Sequence, residues 1–415
     1  MKFFINSYFG DNQSIGLLSH IKKRLPYGMD DQWMVFSHYT ERGWTVDNLW
    51  HIFTDFYGGQ YAPLAFLSYL VLYAGFGYDP FYFNMFSLLL HIGCVCLVWK
   101  LISSLLRVHG GVSEKQILYV NFITTLLFAV HPINVEAVAW ISALKVLLYA
   151  FFYLLGLLCY LRYIRTSKIF YYVLTIGCFL CSFWGKEQAV TFPLALLIVD
   201  WFTNRNMKNL EVWSEKMSFL IMAFFFGIIT VLSQGKGPYE MIFPLYQRLL
   251  FGCFALVEYI TKSLLPVNLN FFYPFPIVLG EEPPLHYYLY PVVLLFLMGW
   301  IIAYRNNRYL VFGVLLFLVN LLFSIHLFNM SRHAIVADRY MYLSYVGIVF
   351  LIANGIWWLR KRLSYFKAAL VFLFFYCFFL SVYTFHYTKK WENTTMVKKY
   401  TKEVLEKRLN GSNHL

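Results

Sequence analysis

The sequence contains little charge for its length. Only 13% of its 415 residues are Asp, Glu, Lys or Arg, whereas 60% are hydrophobic and the mean hydropathy is +0.57. A soluble domain carries roughly a quarter charged residues, which keep its surface in water. The composition therefore excludes a soluble protein and predicts a chain surrounded by a lipid bilayer.

The sequence also lacks the short segments of alternating polarity that form a transmembrane β-barrel. Its apolar runs are roughly 16 to 22 residues long, close to the ~20 residues that carry an α-helix across the hydrocarbon core. Within a helix all backbone polar groups are paired, as lipid requires. We therefore predict an all-α fold, a polytopic transmembrane helical bundle of about 10 to 11 spans.

The cysteines suggest neither a disulfide framework nor a zinc site. All seven lie within apolar stretches, where a free thiol behaves as a small hydrophobic side chain. Cys178 and Cys181 form a C-x-x-C pair, but no second ligand pair accompanies them. We expect these residues to pack in the membrane.

The net charge of +13 comes from Lys and Arg placed between the apolar runs. Such residues report membrane orientation, and in this setting they do not indicate a nucleic-acid partner. We predict spans near 81–106, 117–131, 142–162, 169–184, 187–202, 217–233, 291–304, 309–328, 340–359 and 367–386. Lys and Arg concentrate in alternate loops, which the positive-inside rule assigns to the cytoplasm.

The remaining loops would face the periplasm or an organelle lumen, so the membrane would be a bacterial inner membrane or the endoplasmic reticulum. We expect the apolar stretches 61–78 and 244–265 to form interfacial helices on that side. The predicted organisation is an N-terminal tail and first outer loop (1–80), a transmembrane domain (81–386) and a charged tail without a repeat domain (387–415).

Two adjacent carboxylates, Asp30 and Asp31, precede the first span. One interpretation is a solvated pair in a loop. A carboxylate at the membrane surface can also act as a general base that accepts the proton of an attacking hydroxyl. A third interpretation is a divalent metal site, because oxygen ligands suit Mg²⁺ or Mn²⁺; no cofactor is certain.

Further ionisable residues cluster at the outer ends of predicted helices. They are His131, Glu136 and Lys145 in one turn, Lys186 and Glu187 in a second, and Arg332, His333, Asp338, Arg339 and Tyr342 in a third. Ionisable groups at a membrane surface are costly, so function is their default interpretation. For His131, which precedes Pro132, helix capping is nearly as plausible, and Lys186 with Glu187 could simply neutralise each other.

The order of several motifs along the chain resembles a known family. They are DD in the first outer loop, PLAFLSYLVLYAGFGYDPFYFNMFSLLLHI, FAVHPINVEAVAWIS, GKEQAVTFPLALLIVDW, LLPVNLNFFYP and ADRYMYLS. Together they look like the membrane part of the transmembrane and tetratricopeptide-repeat O-mannosyltransferases and their bacterial relatives, over about residues 28–392. Each motif alone is weak, whereas the combination is specific.

This resemblance implies a GT-C glycosyltransferase that takes a sugar from a polyprenyl-phosphate carrier on the exoplasmic side. Asp30 and Asp31 match the acidic pair of that family, with Asp30 the preferred base. His131, Glu136, Lys186, Glu187, Asp338, Arg339 and Tyr342 match motif positions, and we expect Lys145, Lys186 and Arg339 to contribute to binding of the donor phosphate. The implied partners are a polyprenyl-phosphate-linked sugar, a hydroxyl acceptor on protein or glycan, and the bilayer.

Two other interpretations stay open. A transporter or lipid-carrier flippase could use the same charged residues, but it would place polar groups near the middle of the membrane. An inactive scaffold of the same fold is suggested by a departure after WIS. There the relatives carry an acidic residue and a polar run, whereas this chain has Ala143, Leu144, Lys145 and Val146.

Overall fold

The computed structural model describes residues 30–234, 243–326, 334–392 and 396–403. In this part of the chain the fold is an all-α bundle with one small antiparallel sheet, as predicted. The sheet pairs β1 (Tyr273–Pro274) with β2 (Ala334–Val336). The tail before Asp30 and the loop residues Arg332 and His333 lie outside the described residues.

Four helices form the segment that precedes the first long span. They are α1 (Asp31–Met34), α2 (His38–Glu41), α3 (Val46–Thr54) and α4 (Pro63–Phe76). The expected interfacial helix corresponds to α4, which is apolar but only 14 residues long. It packs in a hydrophobic cluster with Met34 and Tyr39, and the same cluster includes Phe83 and Leu144 of the long helices, so this segment packs against the bundle.

The bundle itself follows the predicted order of helices. Its members are α5 (Pro80–His109), α6 (Glu114–Val130), α7 (Val135–Ala139), α8 (Leu144–Thr166), α9 (Ile169–Gly185), α10 (Phe192–Phe202), α11 (Leu210–Gln234), α12 (Leu245–Leu264), α13 (Leu289–Ala303), α14 (Arg308–Leu321), α15 (Met341–Trp358) and α16 (Leu363–Lys389). Each of the ten predicted spans coincides with one of these helices.

Six segments in the described residues are long and apolar enough to cross a membrane by themselves. They are Pro80–His109, Ile141–Thr166, Leu210–Ser233, Leu285–Ala303, Asp338–Lys361 and Leu363–Lys389. A seventh is α6 together with Pro132–Ala139, which bends by 51°. The predicted spans at 169–184 and 309–328 are shorter apolar helices, and that at 187–202 is a turn followed by the 11-residue α10.

Local signals explain where several helices begin. The side chains of Asp79, Ser113 and Asn307 accept hydrogen bonds from backbone N–H groups in the first turns of α5, α6 and α14. These residue types satisfy donors that the first turn of a helix leaves unpaired. Pro63 and Pro80 occupy first helical positions, where the missing N–H costs nothing.

The bundle is organised around α8. Within its span the most apolar 18-residue window is 78% buried, whereas the corresponding windows of α13 and α16 are 6% and 11% buried. Helix α8 is therefore the central helix, and α13 and α16 present apolar side chains to lipid. Helix α12 is not among the long apolar helices, in agreement with its predicted place outside the spans.

A buried ionic network closes the end of the bundle where α8 and α10 end and α11 begins. Lys216 lies 2.5 Å from Asp200 and also hydrogen-bonds Tyr160, while Arg205 bridges Asp200 at 3.2 Å and Glu215 at 2.6 Å. The two cations balance the two carboxylates, so this network is neutral. Its pairing is what a structural role requires of buried charges.

Helices α14 and α15 cross closely at two glycines. A Cβ atom at Gly347 would lie 2.5 Å from the carbonyl oxygen of Gly313 and 2.8 Å from the backbone nitrogen of Phe317. Small residues let membrane helices approach until their backbones touch. This crossing places the start of α15, which follows the Asp338–Tyr340 turn, against the bundle.

We predict that Gly347→Ala lowers the thermal unfolding midpoint of the detergent-solubilised protein, because overpacking against backbone atoms costs about 1–3 kcal/mol. The matched control is Gly355→Ala on the same helix, where a Cβ meets nothing within 4 Å. That control should be neutral or slightly stabilising. Equal midpoints for the two variants would contradict the close crossing.

Candidate active site

The candidate site forms at the end of the bundle opposite the neutral network. A break in the helix after α6 creates it. His131 ends α6, and its Nδ1 accepts the backbone N–H of Ile133 at 3.2 Å, so this histidine caps the turn at Pro132–Asn134. Because the backbone bends here, α7 and the turn Ile141–Ala143 run beneath the outer segment and bring Glu136 to the centre of the site.

A buried ion pair joins Glu136 to Arg339. The carboxylate accepts the backbone N–H of Arg339 at 2.7 Å through Oε2, and a guanidinium nitrogen lies 2.5 Å from Oε1. Glu136 is fully buried and the Arg339 side chain is 18% exposed. Trp140 and Tyr340 flank the guanidinium at 5.1 and 5.2 Å from their ring centroids. One face of Arg339 is thus fixed while part of its fork reaches the surface.

A second buried carboxylate, Asp338, holds the Asp338–Tyr340 turn from the other side. The Tyr273 hydroxyl lies 3.0 and 2.9 Å from its two oxygens, and the Lys262 ammonium lies 2.5 Å from that hydroxyl and 3.5 Å from Oδ1. Asp338 therefore faces β1 and α12, away from Glu136. These contacts of Asp338 support the turn that carries Arg339.

Lys145 is the next cation of the site. It is buried at the start of α8, and its ammonium donates to Gln60 Oε1 at 2.5 Å. The charges of Asp30 and Glu187 are close enough to stabilise it, and Asp30 also stabilises Arg339. Asp30 is half-buried, and its carboxylate does not cap α1. Asp30 thus lies within electrostatic range of two cations of the site.

The neighbouring Asp31 is placed differently. It is 2% exposed, and its Oδ1 accepts the backbone N–H of Ser142 at 3.1 Å as well as the Ser142 hydroxyl. Its Oδ2 is buried without a hydrogen bond of good geometry in the described residues. Burial raises the pKa of Asp31 to about 7, against the Ser142 bonds, which lower it. Asp31 therefore ties the outer segment to the bundle.

Lys186 and Glu187 lie in the turn after α9. Lys186 is buried with its ammonium 4.6 Å from the centroid of the Tyr340 ring, so it adjoins the Asp338–Tyr340 turn. Glu187 is half-buried and acts on Lys145. Both therefore join the cluster around Arg339.

Tyr342 lies apart from this cluster. Its hydroxyl contacts His91 Nδ1 on α5 at 2.7 Å within the buried core. His131 likewise serves the turn and packs at 4.5 Å against the Tyr345 ring. The contacts of these two residues are those of packing side chains, although the sequence suggested substrate binding for both.

Sequence reasoning missed Gln60, Ser142 and Tyr273 as partners of the site. No local sequence pattern identifies these residues, because each contacts the site only after a distant segment of the chain folds onto it. Ser142, for example, is 111 positions from Asp31. The hydrogen bonds between Ser142 and Asp31 are visible only in three dimensions.

In the described ranges, no three His, Cys, Asp or Glu side chains converge to hold a metal ion. Asp30 and Asp31 have different partners. Asp31 accepts a hydrogen bond from Ser142, whereas Asp30 interacts electrostatically with Lys145 and Arg339. What the cluster offers is a half-buried carboxylate beside buried cations. This set can accept a proton and stabilise an anion.

Fold and site together define a polytopic α-helical membrane protein with a charged cluster at one end of its bundle. The chain is similar to protein O-mannosyl-transferase TMTC2 of Mus musculus, with 32% identity over 41% of this chain and 21% of that protein. It is also similar to tmtc2 of Xenopus laevis, with 29% identity over 45% of this chain and 23% of the relative. Tmtc3 of Drosophila melanogaster is 27% identical over 37% of this chain and 18% of its own length.

These relatives confirm the resemblance drawn from the motifs. The chain matches only about a fifth of the length of the curated relatives, 21% for the mouse protein and 23% for the frog protein. No family model matches the chain. No solved structure matches it either.

We predict that Asp31→Asn reduces the pH dependence of stability. The raised pKa means that protonated Asp31 stabilises the fold fully below pH 3.8, and that this contribution is lost as pH rises through about 7. The full shift corresponds to on the order of 4 kcal/mol. Asn stays neutral and keeps the oxygen that Ser142 bonds.

The measurement is the thermal unfolding midpoint at pH 5 and pH 8. Wild type should lose stability between these values, and Asp31→Asn should lose clearly less. Asp47→Asn, an exposed acid of the same outer segment, serves as control and should follow wild type. An Asp31→Asn protein with the full wild-type pH dependence would contradict the assignment.

Proposed function

We propose that this protein is an inverting glycosyltransferase. It moves a sugar, with mannose the first candidate, from a polyprenyl-phosphate-sugar donor to a hydroxyl of a protein or glycan on the exoplasmic side. The relatives are named protein O-mannosyl-transferases, which supports transfer of mannose to protein hydroxyls. The Lys and Arg of the alternate loops support the exoplasmic placement of the site.

The observation that carries the proposal is that Asp30 lies within electrostatic range of Lys145 and Arg339. Its carboxylate makes no cap contact and acts on both cations. Asp31, by contrast, accepts a hydrogen bond from Ser142. This difference supports Asp30 as the base and Asp31 as a positioning residue.

In the reaction, Asp30 takes the proton of the acceptor hydroxyl as its oxygen attacks the anomeric carbon of the donor. The bond between that carbon and the phosphate oxygen breaks on the opposite face, so the configuration inverts. The phosphate departs with the bonding electron pair. Lys145, Lys186 and Arg339 would stabilise its charge, which is the largest kind of catalytic contribution in such sites.

The transporter or flippase remains the second candidate, and the charge distribution argues against it. Between Lys145 and Arg162, the central helix α8 carries no charged residue. At the far end the buried charged residues Asp200, Arg205, Glu215 and Lys216 are paired with one another. A transport path needs polar groups near the middle of the membrane and a gate at both ends.

The inactive scaffold is disfavoured by the cluster itself. Lys145, which stands in the departure after WIS, is buried and contacts Gln60 beside Asp30. This chain therefore has a cation in that turn. Asp30 and Glu187 balance part of its charge, and a cation near the candidate base supports binding of an anionic substrate.

We predict that Asp30→Asn abolishes sugar transfer while donor binding persists. Asn keeps size and polarity but cannot accept the proton, and loss of a general base costs about 10²- to 10⁴-fold in rate. The assay measures polyprenyl phosphate released from a polyprenyl-phosphate sugar by purified protein, beside equilibrium binding of the donor. Asp47→Asn is the matched control and should turn over like wild type.

Wild-type turnover by Asp30→Asn would remove Asp30 as the base. If Asp31→Asn were also fully active, the mechanism itself would be wrong, and the transporter or scaffold would be preferred. No release by wild type with any polyprenyl-phosphate sugar would contradict the proposed function as a whole.

We predict that loss of Arg339 weakens donor binding roughly ten- to a hundredfold, as expected for charge-assisted hydrogen bonds to phosphate. Arg339→Ala alone leaves Glu136 buried without its partner and destabilises the protein. The test therefore uses Glu136→Gln/Arg339→Ala, compared with Glu136→Gln. Equal donor dissociation constants for these two folded proteins would exclude Arg339 from the donor site.

A further inference from the structure

A cavity of about 370 Å³ lies between α5, α8 and α9, far from the candidate active site. It is formed near the end of α8, about 30 Å from Lys145 at 1.5 Å per helical residue. Its volume falls within the range of about 300–1,000 Å³ that is typical of small-molecule sites. On the topology inferred from the loops, this end of the bundle faces the cytoplasm.

Three cations line the cavity. Lys100 comes from α5, and Arg162 and Arg165 come from the last turns of α8. None of the three forms an ion pair with a carboxylate of the described chain. The nearby Glu114 is held at both oxygens by Arg107, at 2.8 and 2.7 Å. All three residues are exposed, so water and salt screen their mutual repulsion, and a bound anion would lower it further.

The remaining lining suits the headgroup of a phospholipid. Ser104 and Tyr171 supply hydroxyl groups, and Leu158 supplies part of an apolar wall. Arg165 donates one bond, to the Ser104 carbonyl at 3.3 Å, which leaves most of its fork for a ligand. Phosphate accepts two parallel bonds from such a fork.

The surroundings of the cavity favour a lipid over a soluble anion. Trp99, next to Lys100, is 37% exposed, and Val173 on α9 is 59% exposed. These side chains belong to spanning or apolar helices and would meet acyl chains. A phosphate in the cavity would therefore sit at headgroup depth with hydrocarbon beside it.

We propose that this cavity binds the headgroup of an anionic glycerophospholipid from the cytoplasmic leaflet. Lys100, Arg162 and Arg165 contact the phosphate, the hydroxyl groups of Ser104 and Tyr171 contact its oxygens or the polar group beyond it, and the acyl chains run along α5 and α9. Basic pockets between membrane helices on the cytoplasmic side recognise such headgroups. The proposal is independent of glycosyl transfer.

The test titrates purified protein in neutral detergent with phosphatidylglycerol or phosphatidylcholine and counts bound lipid by native mass spectrometry. We expect phosphatidylglycerol to bind at least tenfold more tightly. The variant Lys100→Gln/Arg162→Gln/Arg165→Gln should lose roughly ten- to a hundredfold in affinity for it. The control Lys115→Gln/Lys208→Gln/Arg360→Gln removes three exposed charges from the same end and should bind like wild type.

A second variant, Ser104→Trp, keeps every charge and fills the cavity, so it should also lose the lipid. Equal binding of the two lipids, or wild-type affinity in the Gln triple variant or in Ser104→Trp, would overturn the proposal. So would an equal loss in the control triple variant, which would indicate general attraction to charge. Competition by glycerol 3-phosphate at the affinity of the lipid would assign the cavity to a soluble anion instead.

Discussion

The ion pair between Glu136 and Arg339 is the constraint on which the rest of the site depends. A carboxylate that is fully buried cannot remain ionised without a partner, and breaking such a pair costs several kcal/mol. Because Glu136 also accepts the backbone N–H of Arg339, the pair fixes the main chain of the Asp338–Tyr340 turn as well as the side chain. The broken helix after α6 and the start of α15 are joined at this point. Every other charged group of the site is arranged around that junction.

The supports of this junction come from parts of the chain that lie far apart. Asp338 is fixed by Tyr273 and Lys262, so the two-stranded sheet and α12 hold the turn from the side away from Glu136. Asp31 accepts a hydrogen bond from Ser142 and so joins the outer segment to the bundle. This contact also positions the neighbouring Asp30 near the cations. The two adjacent acids thus differ in role: Asp31 is held by Ser142, and Asp30 is the base that we propose.

The sequence predicted the helical class, the positions of the ten apolar helices and most of the charged cluster, because hydrophobic length and isolated charges are local properties of a chain. It did not predict which charges pair. Asp338 and Arg339 are neighbours in sequence but bind different partners on opposite sides of a turn. Tyr342 and His131 carried motif positions, yet their side chains pack against His91 and Tyr345 in the core. Gln60 and Ser142 became partners only through tertiary contacts that no spacing reveals.

Buried charges are arranged differently at the two ends of the bundle, and this difference bears on the proposed reaction. At the far end the buried side chains of Asp200, Arg205, Glu215 and Lys216 neutralise one another. At the site, Asp30 is one of the charges that balance Lys145 and Arg339. In the reaction that we propose, Asp30 becomes neutral when it takes the acceptor proton, and the cations then lose part of their compensation as the donor phosphate gains negative charge. Proton uptake and leaving-group stabilisation are then coupled through the same electrostatic field, which acts most strongly in a site shielded from water. In the proposed mechanism, Asp30 would therefore act first as a counter-ion of Lys145 and Arg339 and then as the base.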